Sequence, residues 1–199
     1  MLEIVIASCN DGKIEEIKNY SDHLNSKINW LTYKQVEGFP EVEETGSTFL
    51  ENAKIKASAI AEYTKKMVIA DDSGLEVDWL GGKPGIYSSR YAGKSASDYD
   101  NRKKLIQNLK DAPYSKRSAR FICSLVLWDP KKGMIFKTSG VCEGRIGYTE
   151  KGTGGFGYDP LFTPEGYDRT MAQLQPDEKN RISHRGKALA ALCRFIENF

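Results

Sequence analysis

Residues 67–74 read MVIADDSG: four apolar residues, two adjacent aspartates, then Ser-Gly. A run this short, apolar and partly β-branched belongs to a buried strand. Asp71 and Asp72 would then stand at its C-terminal end, the place where open α/β sheets gather their ligands. Adjacent carboxylates delivered to one point repel, so a metal ion, a basic side chain or both must stand near them. The plainer reading is a polar turn that closes a strand. In either case Ser73-Gly74 predicts a sharp turn away from the pair, into a stretch rich in Gly, Pro, Tyr and Arg that ends at Gly93.

The pattern around this strand sets the fold class. Leu2–Ala7 reads as a second buried strand, followed by SCNDGK at 8–13 and a helix from about Lys13. Thr48-x-x-Glu51 has the spacing of a capping box, and Leu50, Ala53, Ala57, Ile60 and Ala61 recur at helical spacing behind it. Ser97-x-x-Asp100 precedes a helix that carries Leu105 and Leu109. Residues 118–129 and 133–144 read as two strands of a hairpin turning at Asp129–Gly133. Residues 150–170 form a Gly- and Pro-rich loop with aromatics. A last helix follows, with Ser183 as N-cap and Leu189, Leu192, Ile196 and Phe199 on one face. Units of strand and helix joined to a hairpin predict an α/β fold, a mixed central sheet flanked by helices. A length of 199 residues supports one domain over 1–199, with room for two lobes.

Composition excludes several classes. Lys+Arg number 29 against 27 Asp+Glu, a net charge of +2, which gives no broad electrostatic footprint for nucleic acid. No apolar run approaches a membrane span, and MLEIVIASCN lacks the basic start of a signal peptide. Cys9, Cys123, Cys142 and Cys193 are far apart and form no C-x-x-C pair, as expected of reduced thiols in the cytoplasm.

Four further segments carry chemistry. SCNDGK after a strand and before a helix is a ready anion site, with Asn10 and Lys13 as donors, or else an ordinary turn. It is not a Walker A loop, since Ile14 follows the lysine. Glu41, Glu43 and Glu44 either favour a helix dipole or supply a metal carboxylate, and Lys54 and Lys56 behind them are a solvated face or meet a phosphate. GTGGFG at 152–157 matches the dinucleotide pattern, but Pro160 and Pro164 deny it the helix that pattern requires. Its glycines instead let a loop approach a flat ligand, with Phe156 and Tyr158 as stacking faces. Lys179, His184 and Arg185 are a surface basic cluster or a donor set for an anion or carbonyl.

Together these segments resemble the inosine triphosphate pyrophosphatase family. The resemblance runs in order through SCNDGK, EETGSTFLENAKIKA, ADDSGLEVDWLGGKPGIYSSRYAG, GTGGFGYDPLF and SHRGKAL, nearly the whole chain. Ser8-Cys9 stand where that family often has Thr-Gly. The resemblance implies a two-lobed fold with a substrate cleft, a cytoplasmic homodimer, and Mg2+-dependent hydrolysis of non-standard purine nucleoside triphosphates (ITP, dITP, XTP) between the α and β phosphates. It implies a phosphate loop of Ser8, Cys9, Asn10, Asp11, Gly12 and Lys13. Glu44 and Asp72 become metal carboxylates with Asp71 nearby, Asp72 the proton acceptor, Ser73 a substrate contact and Lys56 a catalytic lysine near the phosphates. Phe156, Gly157, Tyr158 and Asp159 become a base loop, completed by Lys179, His184 and Arg185. The alternatives are a Maf-type pyrophosphatase, against which FGYDP and SHR speak, a nucleotide-binding module without hydrolysis, and an RNA-binding protein.

Overall fold

The computed structural model describes residues 2–22 and 27–198; Phe199 lies outside them. Six strands form one sheet in the order β2-β1-β3-β4-β5-β6. β1 (Leu2–Ile6) pairs in parallel with β2 (Ile28–Leu31) and with β3 (Met67–Val77), setting Ile4 opposite Met67 and Ile6 opposite Ile69. β4 (Ser118–Asp129) and β5 (Gly133–Ile146) are joined by three residues, and β5 pairs antiparallel with the short edge strand β6 (Phe162–Pro164). The sheet is therefore mixed, as the sequence predicts. The helices are α1 (Asp11–Tyr20), α2 (Phe49–Thr64), α3 (Asp98–Asn108), α4 (Pro176–Ile182) and α5 (His184–Glu197).

Local chemistry sets the element ends. The Asn10 side chain caps α1 by accepting from Lys13 N–H at 3.0 Å. Thr48 caps α2 through Glu51 N–H, while the Glu51 carboxylate takes Ser47 N–H at 2.8 Å and Ser47 Oγ at 2.7 Å. Ser97 and Asp100 form the reciprocal box at the start of α3. The hairpin turn is closed by Asp129, whose carboxylate accepts from Lys131 and Lys132 N–H.

The sequence misplaces the end of β3. The strand does not stop at the aspartates but runs through Ser73-Gly74 to Val77. Leu75 and Val77 resume the apolar alternation and are fully buried, and Leu75 N–H donates to Ser88 Oγ at 2.9 Å. Burial on the far side therefore outweighs the turn propensity of Ser-Gly. The chain turns only at Asp78–Leu80, followed by Gly81 and Gly82 at φ +60° and +85°. Four residues of β2 and three of β6 are too short to show a period, and residues 176–198 divide into α4 and α5 at Ser183.

The chain forms two compact units, Met1–Asp72 with Cys123–Gly140 and Arg185–Phe199, and Ser73–Ile122 with Val141–His184. In the first, alternate strand residues feed two cores. Ile4, Ile6, Met67 and Ile69 pack with Ile14 and Ile17 of α1 and Leu189 and Leu192 of α5. Val5, Val68 and Ala70 pack with Ala53, Ala57 and Ile60 of α2. In the second, Leu75 and Val77 pack with Leu105, Leu109, Phe121, Tyr158 and Phe162. Among the described residues no helix is long and apolar enough to cross a membrane, and the four cysteines form no disulfide.

Candidate active site

The same alternation that divides the core of the first unit divides the two aspartates. Odd positions of β3 face α1 and α5, even positions face α2, so Asp71 and Asp72 leave the strand on opposite sides. They do not converge on one point, as the sequence reading expects.

On the first side, Asp71 Oδ2 accepts from Arg185 Nε at 3.2 Å and Nη2 at 3.0 Å, and lies 3.2 Å from Lys13 Nζ. Arg185 Nη1 in turn bonds Glu16. Arg185 and Asp71 are 1% and 2% exposed, so the pair at the centre of this cluster is fully buried, with Lys13 and Glu16 at its partly solvated edge. Burial alone would raise the Asp71 pKa, but Lys13, Arg185 and Lys56 hold it far below the usual carboxylate range. The Arg185 guanidinium bonds Asp71 and Glu16 within the first unit.

On the second side, Asn52 Nδ2 donates to Asp72 Oδ2 at 3.0 Å. Lys56 Nζ is 4.0 Å from Asp72 Oδ1 and 2.6 Å from Glu44 Oε1. Asn52 and Lys56 are one turn apart on α2 and so share a face. Asn52 Oδ1 also accepts from Gly46 N–H at 2.8 Å, which fixes the segment that carries Glu44. A Cβ on Gly46 would stand 2.7 Å from that oxygen, so the approach requires glycine. Glu41 and Glu43 stay exposed; of the three glutamates, Glu44 is the one turned to the lysine. Burial raises the Asp72 pKa and the charge of Glu44 adds to it, against the lowering effect of Lys56. Burial would lower the Lys56 pKa, but Asp72, Asp71 and Glu44 raise it.

Among the described residues no three His, Cys, Asp or Glu side chains form a ready metal cluster. Glu44 and Asp72 nonetheless converge on one cation, Lys56, and two carboxylates of this kind suit a hard divalent ion that completes its shell with phosphate and water. Asp71 is outside this set.

The 8–13 loop lies at the start of α1, with Cys9, Asn10 and Asp11 exposed and Ser8, Gly12 and Lys13 half-buried. Ser8 Oγ accepts from Asn10 N–H at 3.1 Å. Asp11 turns away to Lys34 and Tyr33. Ser73 follows Asp72 on β3, half-buried.

The second unit builds a separate constellation. Asp159, 4% exposed, accepts from Lys179 Nζ at 2.7 Å and from Phe156 N–H at 3.0 Å. A Cβ on Gly155 would stand 2.0 Å from Asp159 Oδ2, so this turn also requires glycine. Lys179 Nζ lies 5.1 Å from the centre of the Phe156 ring. Tyr158 is core: its ring is buried and its hydroxyl donates to Ser88 C=O at 2.8 Å, so it offers no stacking face. His184 is buried and stacked on Phe121 with ring centres 4.8 Å apart.

A buried set of acids and lysine beside a helix-capped loop suits a polyanion, and residues 4–195 match the Ham1 family model. The chain belongs to the Ham1 family. It is 47% identical over 198 residues to the dITP/XTP pyrophosphatase of Bacillus licheniformis, with 99% of each chain covered. It is 46% identical over 197 residues to the dITP/XTP pyrophosphatase of Oceanobacillus iheyensis, with 98% of each covered. Among solved structures, a HAM1 protein from Coxiella burnetii superposes with a TM-score of 0.89 at 42% identity over the whole of both chains. The Ham1 fold is thus an α/β fold with a mixed six-stranded sheet, and the Maf-type alternative falls away.

Sequence reasoning missed Asn52 and Glu16. Both had a signal: an amide on the buried stripe of α2, one turn before Lys56, and an acid one turn before Tyr20 on α1, three residues after Lys13. Asn52 lies inside the EETGSTFLENAKIKA segment and Glu16 follows SCNDGK, but only the fold reveals their partners.

Proposed function

We propose that this chain hydrolyses non-standard purine nucleoside triphosphates, ITP, dITP and XTP, at the α–β bond to a monophosphate and pyrophosphate. The observation that carries the proposal is the α2 face of β3, where Glu44 and Asp72 meet a single ammonium, Lys56. Two carboxylates turned to the same point suit a hard divalent cation that shares its shell with phosphate oxygens. Glu44 and Asp72 would hold Mg2+, which would neutralise phosphate charge as the P–O bond breaks.

The chain's own residues divide the remaining work. Lys56 meets the phosphates, and its charge lowers the Asp72 pKa against the effect of burial. Burial raises the pKa of Asp72 and so suits it to take the proton from water as it attacks the α-phosphorus. Asn52 holds the Asp72 carboxylate in its rotamer by donating to Oδ2. The loop from Ser8 to Lys13 faces the phosphates, with Ser73 as a further contact.

Base recognition falls to the second unit. Hypoxanthine and xanthine present a C6 carbonyl that accepts hydrogen bonds, and Lys179, beside the Phe156 ring, can only donate. An adenine amino group would set donor against donor and cost about 1–3 kcal/mol for each group left unpaired. Homodimer assembly and a cytoplasmic setting, implied by the resemblance, belong to the same proposal.

The test is turnover of dITP in 18O-labelled water with Mg2+ and with excess EDTA. Pyrophosphate should appear only with Mg2+, and the label should enter dIMP. Orthophosphate as the first product, or full turnover in EDTA, would overturn the proposal.

A further inference from the structure

The groups that fix the base loop lie outside it, on α3. Gly157 N–H donates to Asp98 Oδ2 at 2.7 Å, and Gly157 C=O accepts from Arg102 Nη1 at 2.9 Å. Both polar groups of one residue are thus held by side chains four positions apart, which α3 presents one above the other. The first turn of α3 is itself pinned by the Ser97–Asp100 box. Arg102 is anchored by Glu150 Oε1, 3.0 Å from its Nε, and its side chain is 15% exposed. Buried Asn101, between them in sequence, holds the neighbouring segment by accepting from Ala92 N–H and donating to Ser89 C=O. Tyr158 closes the ring through its hydroxyl to Ser88 C=O.

This clamp decides what the loop can show a ligand. Phe156 N–H is spent on Asp159, Phe156 C=O accepts from Asp159 N–H at 3.2 Å, and Gly157 is spent on α3. The Phe156 ring, with the Lys179 ammonium beside it held on Asp159, is the flat face that the loop carries. Gly157 sits at φ +60° with nothing within 4 Å of a Cβ position, so it is needed for its conformation and not for space. A loop held in one conformation discriminates between bases that differ by one group; a loop free to shift adapts to both.

We propose that Asp98 and Arg102 are positioning residues that set base discrimination, by holding the Gly157 backbone and with it the pose of Phe156 and Asp159. This rests on the reading of residues 156–159 as the base loop. The experiment compares kcat and KM for dITP and dGTP in the wild type and in Asp98→Ala, Asp98→Asn and Arg102→Ala, with inorganic triphosphate as a competitive inhibitor that has no base. In Asp98→Ala and Arg102→Ala the dITP:dGTP ratio of kcat/KM should fall about tenfold, mainly through KM for dITP, as expected for one lost hydrogen bond to a charged group. Asp98→Asn keeps an acceptor for Gly157 N–H and should restore the ratio. Inhibition by inorganic triphosphate should be unchanged in all three. An unchanged ratio in Asp98→Ala, a partly solvated site whose loss leaves the core intact, would overturn the positioning role while the function proposed above stands. A wild type that does not prefer dITP over dGTP would overturn the base-loop reading and this proposal with it.

Discussion

Asp71 and Asp72 are the same residue type one peptide bond apart, yet the two faces of β3 give them opposite surroundings. On the α1–α5 face, Asp71 and Glu16 meet Lys13 and Arg185, so each named charge has a counterpart. On the α2 face, Asp72 and Glu44 share Lys56. The first set is balanced around a buried Asp71–Arg185 pair, and the Asp71 pKa is held low. The second is acid-rich, and its carboxylate is pushed toward protonation. Balanced buried pairs hold a fold in one arrangement, whereas an unbalanced set is poised to bind charge or move a proton. The pair that looks in sequence like a single charge centre is one structural acid and one chemical acid.

The largest expected effect that would break this comparison lies on the structural side. Asp71→Asn leaves Arg185 buried with one partner fewer, and should lower unfolding stability by about 3–5 kcal/mol. The urea midpoint checks this; a loss within the noise would mean that Glu16 alone suffices for Arg185. On the chemical side, Asp72→Asn should lower kcat for dITP by about 10²-fold or more, the scale for a lost base or metal ligand. Stability should be unchanged or higher, because burial raises the Asp72 pKa and its charge is disfavoured on folding relative to the unfolded chain. Near-normal kcat would move the chemistry to another acid.

The pH dependence of stability sharpens the same contrast. The folded pKa of Asp71 lies below its ordinary value of 3.8, so its contribution is present above that value and is lost as pH falls through the folded pKa. The folded pKa of Asp72 is raised, so its ionisation removes stability as pH climbs from the ordinary value to the folded one. The gap between the urea midpoints of wild type and Asp71→Asn should therefore be constant well above pH 3.8 and narrow as pH falls below it. A gap that does not narrow below pH 3.8 would contradict the assignment. The smallest effect belongs to Lys13→Met. Lys13 is the more exposed of the two cations on Asp71, with 16% of its side chain solvated, and its loss should cost about 1 kcal/mol in the urea midpoint. A loss as large as that of Asp71→Asn would make Lys13, and not Arg185, the main counter-charge.

What sequence could show of this site followed from local signals. The caps at Asn10, Thr48 and Ser97, the helical stripe of α2 and the hairpin at Asp129 are short-range, and they predict elements close to those found. Glu44 and Asp72 both lie close to Lys56. The strand through Ser73-Gly74 was not legible as such, because a turn-prone pair was weighed without the burial of Leu75 and Val77 beyond it. That one error merged the aspartates, since a strand that continues must alternate its side chains and a turn need not. The partners of Arg185 are 114 and 169 positions away, a separation at which no local rule applies. Tyr158 looked like a stacking ring because its tethering acceptor, Ser88 C=O, is 70 residues distant.

The most direct test is a 13C NMR titration of the two side-chain carboxyls in the metal-free protein. The division between the faces requires that Asp71 show no titration until the protein unfolds in acid, and that Asp72 titrate above the ordinary aspartate value. Two carboxyls that titrate as a coupled pair, one raised by the charge of the other, would put both back at a single point and contradict it.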